Sequence, residues 1–350
     1  MYLAVSCPKA IINLMKFLVI APAWIGDAVI SQPLLARLKS QHPAAQIDVL
    51  AAQWVAPIYA RMPEVSHIID NPFRHGELAL RTRYRLGNQL ALEGYARAYV
   101  LPNSLKSALV PFFAGIPERI GFVGESRYGL VNRRHCLDKA VLPLMAERYA
   151  QLAEPLGTLL PRPLPQLHLY SSQVYQQQAL ADLGLAAGTR PVVFCPGAEF
   201  GPAKRWPTEH FATLARVLVE RGHTVWLLGS TKDKAIGDEI VASTSGSCHN
   251  LCGVTTLDQA IDLIAQAELV VSNDSGLMHV AAALNRPLVA LFGSSSPEFT
   301  PPLSAQASVL RLGLDCSPCF KRECPLGNLD CLQQLEPSGV LNTCLAKLPS

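Results

Sequence analysis

Short apolar-rich runs alternate along this chain with longer stretches in which apolar residues recur every three or four positions. Runs at 17–20, 47–51, 67–69 and 98–101 read as strands, and 28–38 has the spacing of a helix that follows Gly26 and Asp27. The second half repeats the scheme. Strands are expected at 192–195, 224–228, 269–271 and 288–292, with helices at 208–220, 257–267 and 277–284. Gly222 closes the first of these helices as a glycine beyond a C-cap would, and Asn285, Arg286 and Pro287 stop the last. Apolar strands bounded by turn formers and alternating with helices predict an α/β fold built on parallel sheets. Residues 160–169 (LPRPLPQLHL) read as a stiff linker, which sets the domains at 1–168 and 169–350.

Composition narrows the reading. A chain of 350 residues exceeds the size at which a single core usually divides, in keeping with two doubly wound halves. Thirty basic against 27 acidic residues argues against nucleic acid as the main partner. The most apolar stretch, 269–297, is broken by Asn285, Arg286 and Pro287 before it reaches the length of a membrane span. Residues 1–14 contain no apolar core with a small-residue cleavage site, so no signal peptide is read there. A strand begins directly after Met15, which makes 1–14 an expected dispensable extension. The segment 61–134 is locally basic, with Arg74, Arg81, Arg83, Arg85, Lys106, Arg119, Arg127 and Arg133. Such a run is a solvated face, or it suits a phosphorylated or carboxylated acceptor or an anionic membrane surface.

The candidate chemistry lies in the turns after strands, where open parallel sheets bind ligands. Ser272 to Gly276 form a polar turn ahead of the helix at 277–284, and backbone N–H groups at such a helix start favour a phosphate. Asp274 there is either a helix cap or a ligand-binding carboxylate, and His279 either a core histidine or a site residue. Asp27 opens the first helix with the same two readings. Lys204, in the Gly/Pro-containing loop 196–207, is either a surface lysine or a phosphate-neutralising ammonium. Neither G-x-G-x-x-G after a first strand nor a Walker pattern is present, so a dinucleotide-dependent dehydrogenase and a P-loop enzyme are not supported. Two halves aiming such loops at one another fit a cleft enzyme for a nucleotide-linked substrate.

Four segments carry a more specific signal: APAWIGDAVISQPLL (21–35), YVLPNSLKSALVPFFAGIPERIGF (99–122), FCPGAEFGPAKRWP (194–207) and NDSGLMHVAAALNRPLVALFGSSSPEFTPPLS (273–304). Together and in this order they resemble the ADP-heptose:lipopolysaccharide heptosyltransferases of glycosyltransferase family 9. The resemblance implies a GT-B architecture, two Rossmann-like domains facing each other across a cleft, with acceptor on the first and donor on the second. It implies an inverting transfer of L-glycero-D-manno-heptose from ADP-heptose onto the first heptose of the lipopolysaccharide inner core, a heptosyl-Kdo-lipid A acceptor. A sister core heptosyltransferase, or a non-catalytic nucleotide-sugar-binding protein, are the alternatives. By the same resemblance Asp27 is the general base, and Lys204, Asp274, Ser275, Gly276 and His279 bind the donor. Lys106, Arg119 and Arg127 are the acceptor-binding candidates on the basic N-terminal face. No cofactor or catalytic metal is implied, and the expected location is the cytoplasmic face of the inner membrane, held peripherally.

Cys316, Cys319, Cys324 and Cys331 fall outside that scheme. Their close spacing leaves free thiols, a disulfide or a zinc or iron–sulfur site open, and it matches neither standard zinc-finger nor ferredoxin spacing.

Overall fold

The computed structural model describes residues 15–74 and 76–348; the 1–14 extension lies outside the described residues. Two six-stranded sheets, parallel throughout, organise the chain. The first contains β1 (Lys16–Ile20), β2 (Gln46–Ala51), β3 (His67–Asp70), β4 (Arg97–Val100), β5 (Glu118–Phe122) and β6 (Arg133–His135) in the order β3-β2-β1-β4-β5-β6. The second contains β7 (Val192–Cys195), β8 (Val225–Leu227), β9 (Cys248–Asn250), β10 (Leu269–Asn273), β11 (Leu288–Leu291) and β12 (Ala307–Leu310) in the order β12-β11-β10-β7-β8-β9. The doubly wound expectation is therefore met twice. In each sheet the winding reverses at its centre, between β1 and β4 and between β7 and β10, and that switch point opens a crevice at the carboxyl ends.

The central strands are buried on both faces, which is why FLVI in β1, VVFC in β7 and LVAL in β11 read as continuous apolar runs. Edge strands are different. β6 (RRH) and β12 (ASVL) are short and partly exposed, and β5 begins with Glu118-Arg119, so no apolar pattern announces them. The single helix expected at 28–38 is two helices, Ile25–Ile30 and Gln32–Gln41. Pro33 has no N–H and belongs in a first turn, so the chain restarts at Ser31, whose hydroxyl donates to the Ala28 carbonyl at 2.7 Å.

The two sheets are joined by a shared apolar core. Val55, Ile58 and Tyr59 from the first half belong to one buried cluster with Ile261, Met278 and Val280 from the second. Helix Ile25–Ile30 packs directly on helix Gly276–Ala283, and the contact is close because both contribute a glycine. A Cβ on Gly26 would lie 2.9 Å from His279 Cδ2, and one on Gly276 would lie 2.8 Å from Ile25 Cβ. Beside this contact Arg61 holds Asp262 through two hydrogen bonds of 2.7 and 2.9 Å, both side chains nearly inaccessible. The connecting segment is pinned to each side in turn. His168 exchanges hydrogen bonds with the Gln32 amide, while the next residue, Leu169, donates to the Ala283 carbonyl at 3.1 Å. Among the described residues no helix is long and apolar enough to cross a membrane.

Candidate functional site

Three chain turns at the two switch points converge. β1 ends at Ile20, and after a short turn the helix Ile25–Ile30 carries Asp27 in its first turn. β7 ends at Cys195 and releases the loop that bears Lys204 at the end of a short 3-10 turn, Pro202–Lys204. β10 ends at Asn273, one residue before Asp274. Asn273 ties these last two turns together: its buried side chain accepts from the Trp206 N–H at 3.0 Å and donates to the Pro196 carbonyl at 2.7 Å. The Lys204 loop is thereby fixed to the β10 turn.

Asp274 does not cap the helix that follows. Ser275 occupies the N-cap position with extended backbone and makes no side-chain cap, so the first N–H groups of Gly276–Ala283 have no side-chain partner. Asp274 is instead nearly buried and paired with the Lys204 ammonium at 2.5 Å. The surface-lysine reading of Lys204 fails on the same contact. Phe200 and Arg322 complete this wall, with the Lys204 ammonium 5.1 Å and the Arg322 guanidinium 5.4 Å from the Phe200 ring centroid.

Asp27 faces this pair from the other sheet. Burial pushes its carboxyl above the ordinary aspartate value; a hydrogen bond from the Tyr149 hydroxyl at 3.2 Å and the Lys204 charge pull it back, and the Asp274 charge adds to the rise. A carboxylate so raised is a better proton acceptor than a solvated one. His279 is buried under Gly26, and desolvation takes it down to about 4, so it is neutral at neutral pH. Its Nδ1 has no partner among the described residues. The site thus offers one basic carboxylate, one ammonium paired with a second carboxylate, an uncapped helix start and a neutral imidazole.

Two groups in this region have no counterpart in the sequence reading. Tyr149 comes from the helix Met145–Gln151, 122 residues from Asp27 in sequence, and nothing local marks it. Ser294 and Ser295 lie just beyond the carboxyl end of β11 with buried hydroxyls that lack partners among the described residues. Their signal was the serine run after an apolar strand.

Two of the three acceptor candidates need correction. Arg127 does not present its charge to an acceptor: it is buried and donates to the Pro102 and Phe122 carbonyls at 2.8 and 2.6 Å. Arg119 likewise spends its guanidinium on the Leu130 and Gly129 carbonyls at 2.7 and 3.0 Å, and on that of Ile116. Carbonyls left unpaired in irregular chain need donors, and these arginines supply them. Lys106 lends its own carbonyl to Arg83 at 3.0 Å and makes no ion pair among the described residues.

Cys316, Cys319, Cys324 and Cys331 are free thiols that line one small cavity of about 20 Å³. Among the described residues no three His, Cys, Asp or Glu side chains are grouped to hold a metal ion. The segment braces the turns that follow β7 and β11. The Arg322 carbonyl accepts from Ala203 N–H at 3.0 Å, Phe320 N–H donates to the Ser294 backbone carbonyl at 2.7 Å, and the Ser317 hydroxyl donates to the Gly293 carbonyl at 2.5 Å.

Residues 83–330 match the model of glycosyltransferase family 9 (heptosyltransferase). The chain is 52% identical to lipopolysaccharide heptosyltransferase 2 of Escherichia coli K12 over 307 residues, covering 85% of this chain and 88% of that one. It is 48% identical to lipooligosaccharide heptosyltransferase 2 of Haemophilus ducreyi over 312 residues, with 85% and 89% covered. The solved structure of E. coli ADP-heptose lipopolysaccharide heptosyltransferase II superposes with a TM-score of 0.87 at 47% identity, covering 95% of this chain and 98% of that one. The two facing doubly wound sheets are accordingly a GT-B fold.

Proposed function

The chain belongs to glycosyltransferase family 9, the heptosyltransferases, and on that premise we propose that it transfers heptose from ADP-heptose to the first heptose of a lipopolysaccharide inner core, a heptosyl-Kdo-lipid A. The observation that carries the reading is the meeting of Asp27, from the β1 turn, with the Lys204–Asp274 pair, from the β7 and β10 turns, at the two switch points.

In this mechanism the acceptor hydroxyl attacks the anomeric carbon of the donor heptose and gives its proton to the Asp27 carboxylate. The bond from that carbon to the diphosphate oxygen breaks, and its electron pair leaves with ADP. A single displacement of this kind inverts the anomeric centre. Tyr149 steadies Asp27 through its hydroxyl. Lys204 and the N–H groups at Ser275 and Gly276 offset the charge that develops on the departing diphosphate, the kind of preorganised stabilisation that is often the largest single contribution. When diphosphate draws Lys204 toward itself, Asp274 is released to accept from heptose hydroxyls. His279, neutral and with an open Nδ1, borders the same space. The acceptor is carried by a lipid, so the reaction belongs at the cytoplasmic face of the inner membrane, with this chain bound peripherally.

The test is transfer from ADP-heptose to a lipid acceptor that bears one heptose, beside an acceptor that bears none, with wild type and Asp27→Asn. Turnover on the first acceptor alone, reduced about 10²- to 10⁴-fold in kcat by Asp27→Asn with ADP-heptose affinity unchanged, is expected. Turnover on the bare acceptor instead moves the chain to a sister enzyme. Binding of ADP-heptose without transfer to either refutes the catalytic assignment.

A further inference from the structure

The helix Leu80–Leu90 (LRTRYRLGNQL) has a face that the catalytic site does not use. Arg83, Gly87 and Leu90 turn inward. Arg83 anchors the helix, with its guanidinium 3.7 Å from the Phe73 ring centroid and its nitrogens on the Leu78 and Lys106 carbonyls at 2.7 and 3.0 Å. Gly87 lets the helix lie close on the next one, since a Cβ there would fall 2.5 Å from Phe113 Cβ. The outward face is of another kind. Leu80 and Tyr84 are 50% and 55% exposed, Leu92 just beyond the helix is 90% exposed, and Arg81 and Arg85 point outward between them. Neither arginine has an ion-pair partner among the described residues, and the helix contains no acidic residue.

Between this face and Phe113 lies an open groove of about 810 Å³. Its walls are Tyr84, stacked edge-on against Phe113 at 5.3 Å, and the stems of Arg81 and Arg85. The helix follows β3, so its first turn lies near the carboxyl edge of the first sheet, the edge from which Asp27 also projects. We propose that this face is the surface by which the chain lies on a bilayer rich in anionic headgroups: Leu80, Tyr84 and Leu92 enter the interface while Arg81 and Arg85 meet the phosphates.

Charge complementarity selects this occupant. Guanidinium groups at i and i+4 interleaved with exposed leucine and tyrosine are what a headgroup boundary accommodates, and long arginine stems bury carbon while their charge stays wet. The inference rests on the proposed function in one respect: a lipid-borne acceptor requires the site to work at a fixed height above the bilayer, and this face is on the acceptor half of the cleft.

The experiment is sedimentation of the full chain with vesicles rich in phosphatidylglycerol and with vesicles of phosphatidylcholine alone. Wild type is expected to partition to the first and not the second. Each cation removed should cost about fivefold, so Arg81→Gln with Arg85→Gln should lower partitioning about 25-fold, and Leu92→Asp with Tyr84→Ser should abolish what remains at high salt. Circular dichroism checks folding, and turnover on a deacylated, water-soluble acceptor should be unchanged in all these variants. Wild-type binding to neither vesicle, or undiminished binding by the double arginine variant, overturns the proposal. So does self-association that Leu92→Asp breaks while vesicle binding stays constant, since the face would then serve a second copy of the chain. Absence of turnover by wild type on every acceptor would count against the proposed function and leave the vesicle result standing.

Discussion

Gly26→Ala tests the contact on which the cleft is built. Gly26 lies in the helix that carries Asp27, and the added methyl would meet His279 Cδ2 at 2.9 Å and Nε2 at 3.5 Å. Carbon atoms rest at about 3.5–4.0 Å, so the ring or the helix must move by roughly 0.6 Å or more. The obstacle is a buried ring and not the loose end of a flexible chain. Overpacking of this kind costs about 1–3 kcal/mol. Alanine would by itself favour the helix by about 1 kcal/mol over glycine, so a net loss of stability identifies the steric effect. The functional consequence is larger. A shift approaching 1 Å between Asp27 and the donor side costs about 10²-fold, so kcat is expected to fall about 10- to 100-fold with only a modest change in ADP affinity. Steady-state kinetics, calorimetric ADP binding and thermal melting make the measurement. Adding His279→Ala removes the ring and should recover the melting temperature without recovering turnover. A Gly26→Ala protein with wild-type kcat and an unchanged melting temperature would refute the reasoning.

Three further outcomes are expected. Tyr149→Phe removes a hydrogen bond that lowers the Asp27 pKa, so the acid limb of the kcat/KM profile should move to higher pH while KM for ADP-heptose holds. A limb that stays in place separates Tyr149 from the base. Lys204→Ala should weaken ADP binding and turnover together, and it leaves the Asp274 carboxylate nearly buried without its cation, a change that costs about 3–5 kcal/mol in a buried pair; unchanged ADP affinity by titration calorimetry would contradict it. Asp27→Asn should be less active yet more stable near neutral pH. The folded-state pKa of Asp27 is raised, so the stability it contributes is complete below its ordinary value of 3.8 and is lost as pH rises through the folded value. Melting curves should therefore show the variant ahead at about pH 8 and level with wild type in acid.

The sequence was informative wherever one side chain period dominated. β1, β7, β10 and β11 are buried on both faces, so apolar residues fill β7 and β11 and all but the ends of β1 and β10, where Lys16 opens one strand and the hydrogen-bonded Ser272 and Asn273 close the other. β6 and β12 have to be apolar on neither face throughout, and their signal is correspondingly absent. Asp27, Lys204 and Asp274 stood in turns whose polarity fits caps as well as ligands, and resemblance rather than periodicity singled them out. Tyr149 was out of reach because its partner is fixed by the packing of Met145–Gln151 on the first helices, a long-range fact. The arginines misled for a related reason. A chain rich in turns leaves carbonyls to be paired, and Arg119 and Arg127 look identical in sequence whether they face a ligand or their own backbone.

The apolar cluster that runs from Val55 and Tyr59 through to Ile261 and Met278 bears on how this molecule comes apart. A protein whose halves met only through wet loops would melt in two calorimetric steps, each with its own enthalpy. Here neither half can lose its structure without exposing the other's interior, and Arg61 would leave Asp262 charged and stranded. The two halves should therefore denature together, in one transition whose van't Hoff and calorimetric enthalpies agree. Either half expressed alone would carry a sticky, unfinished face.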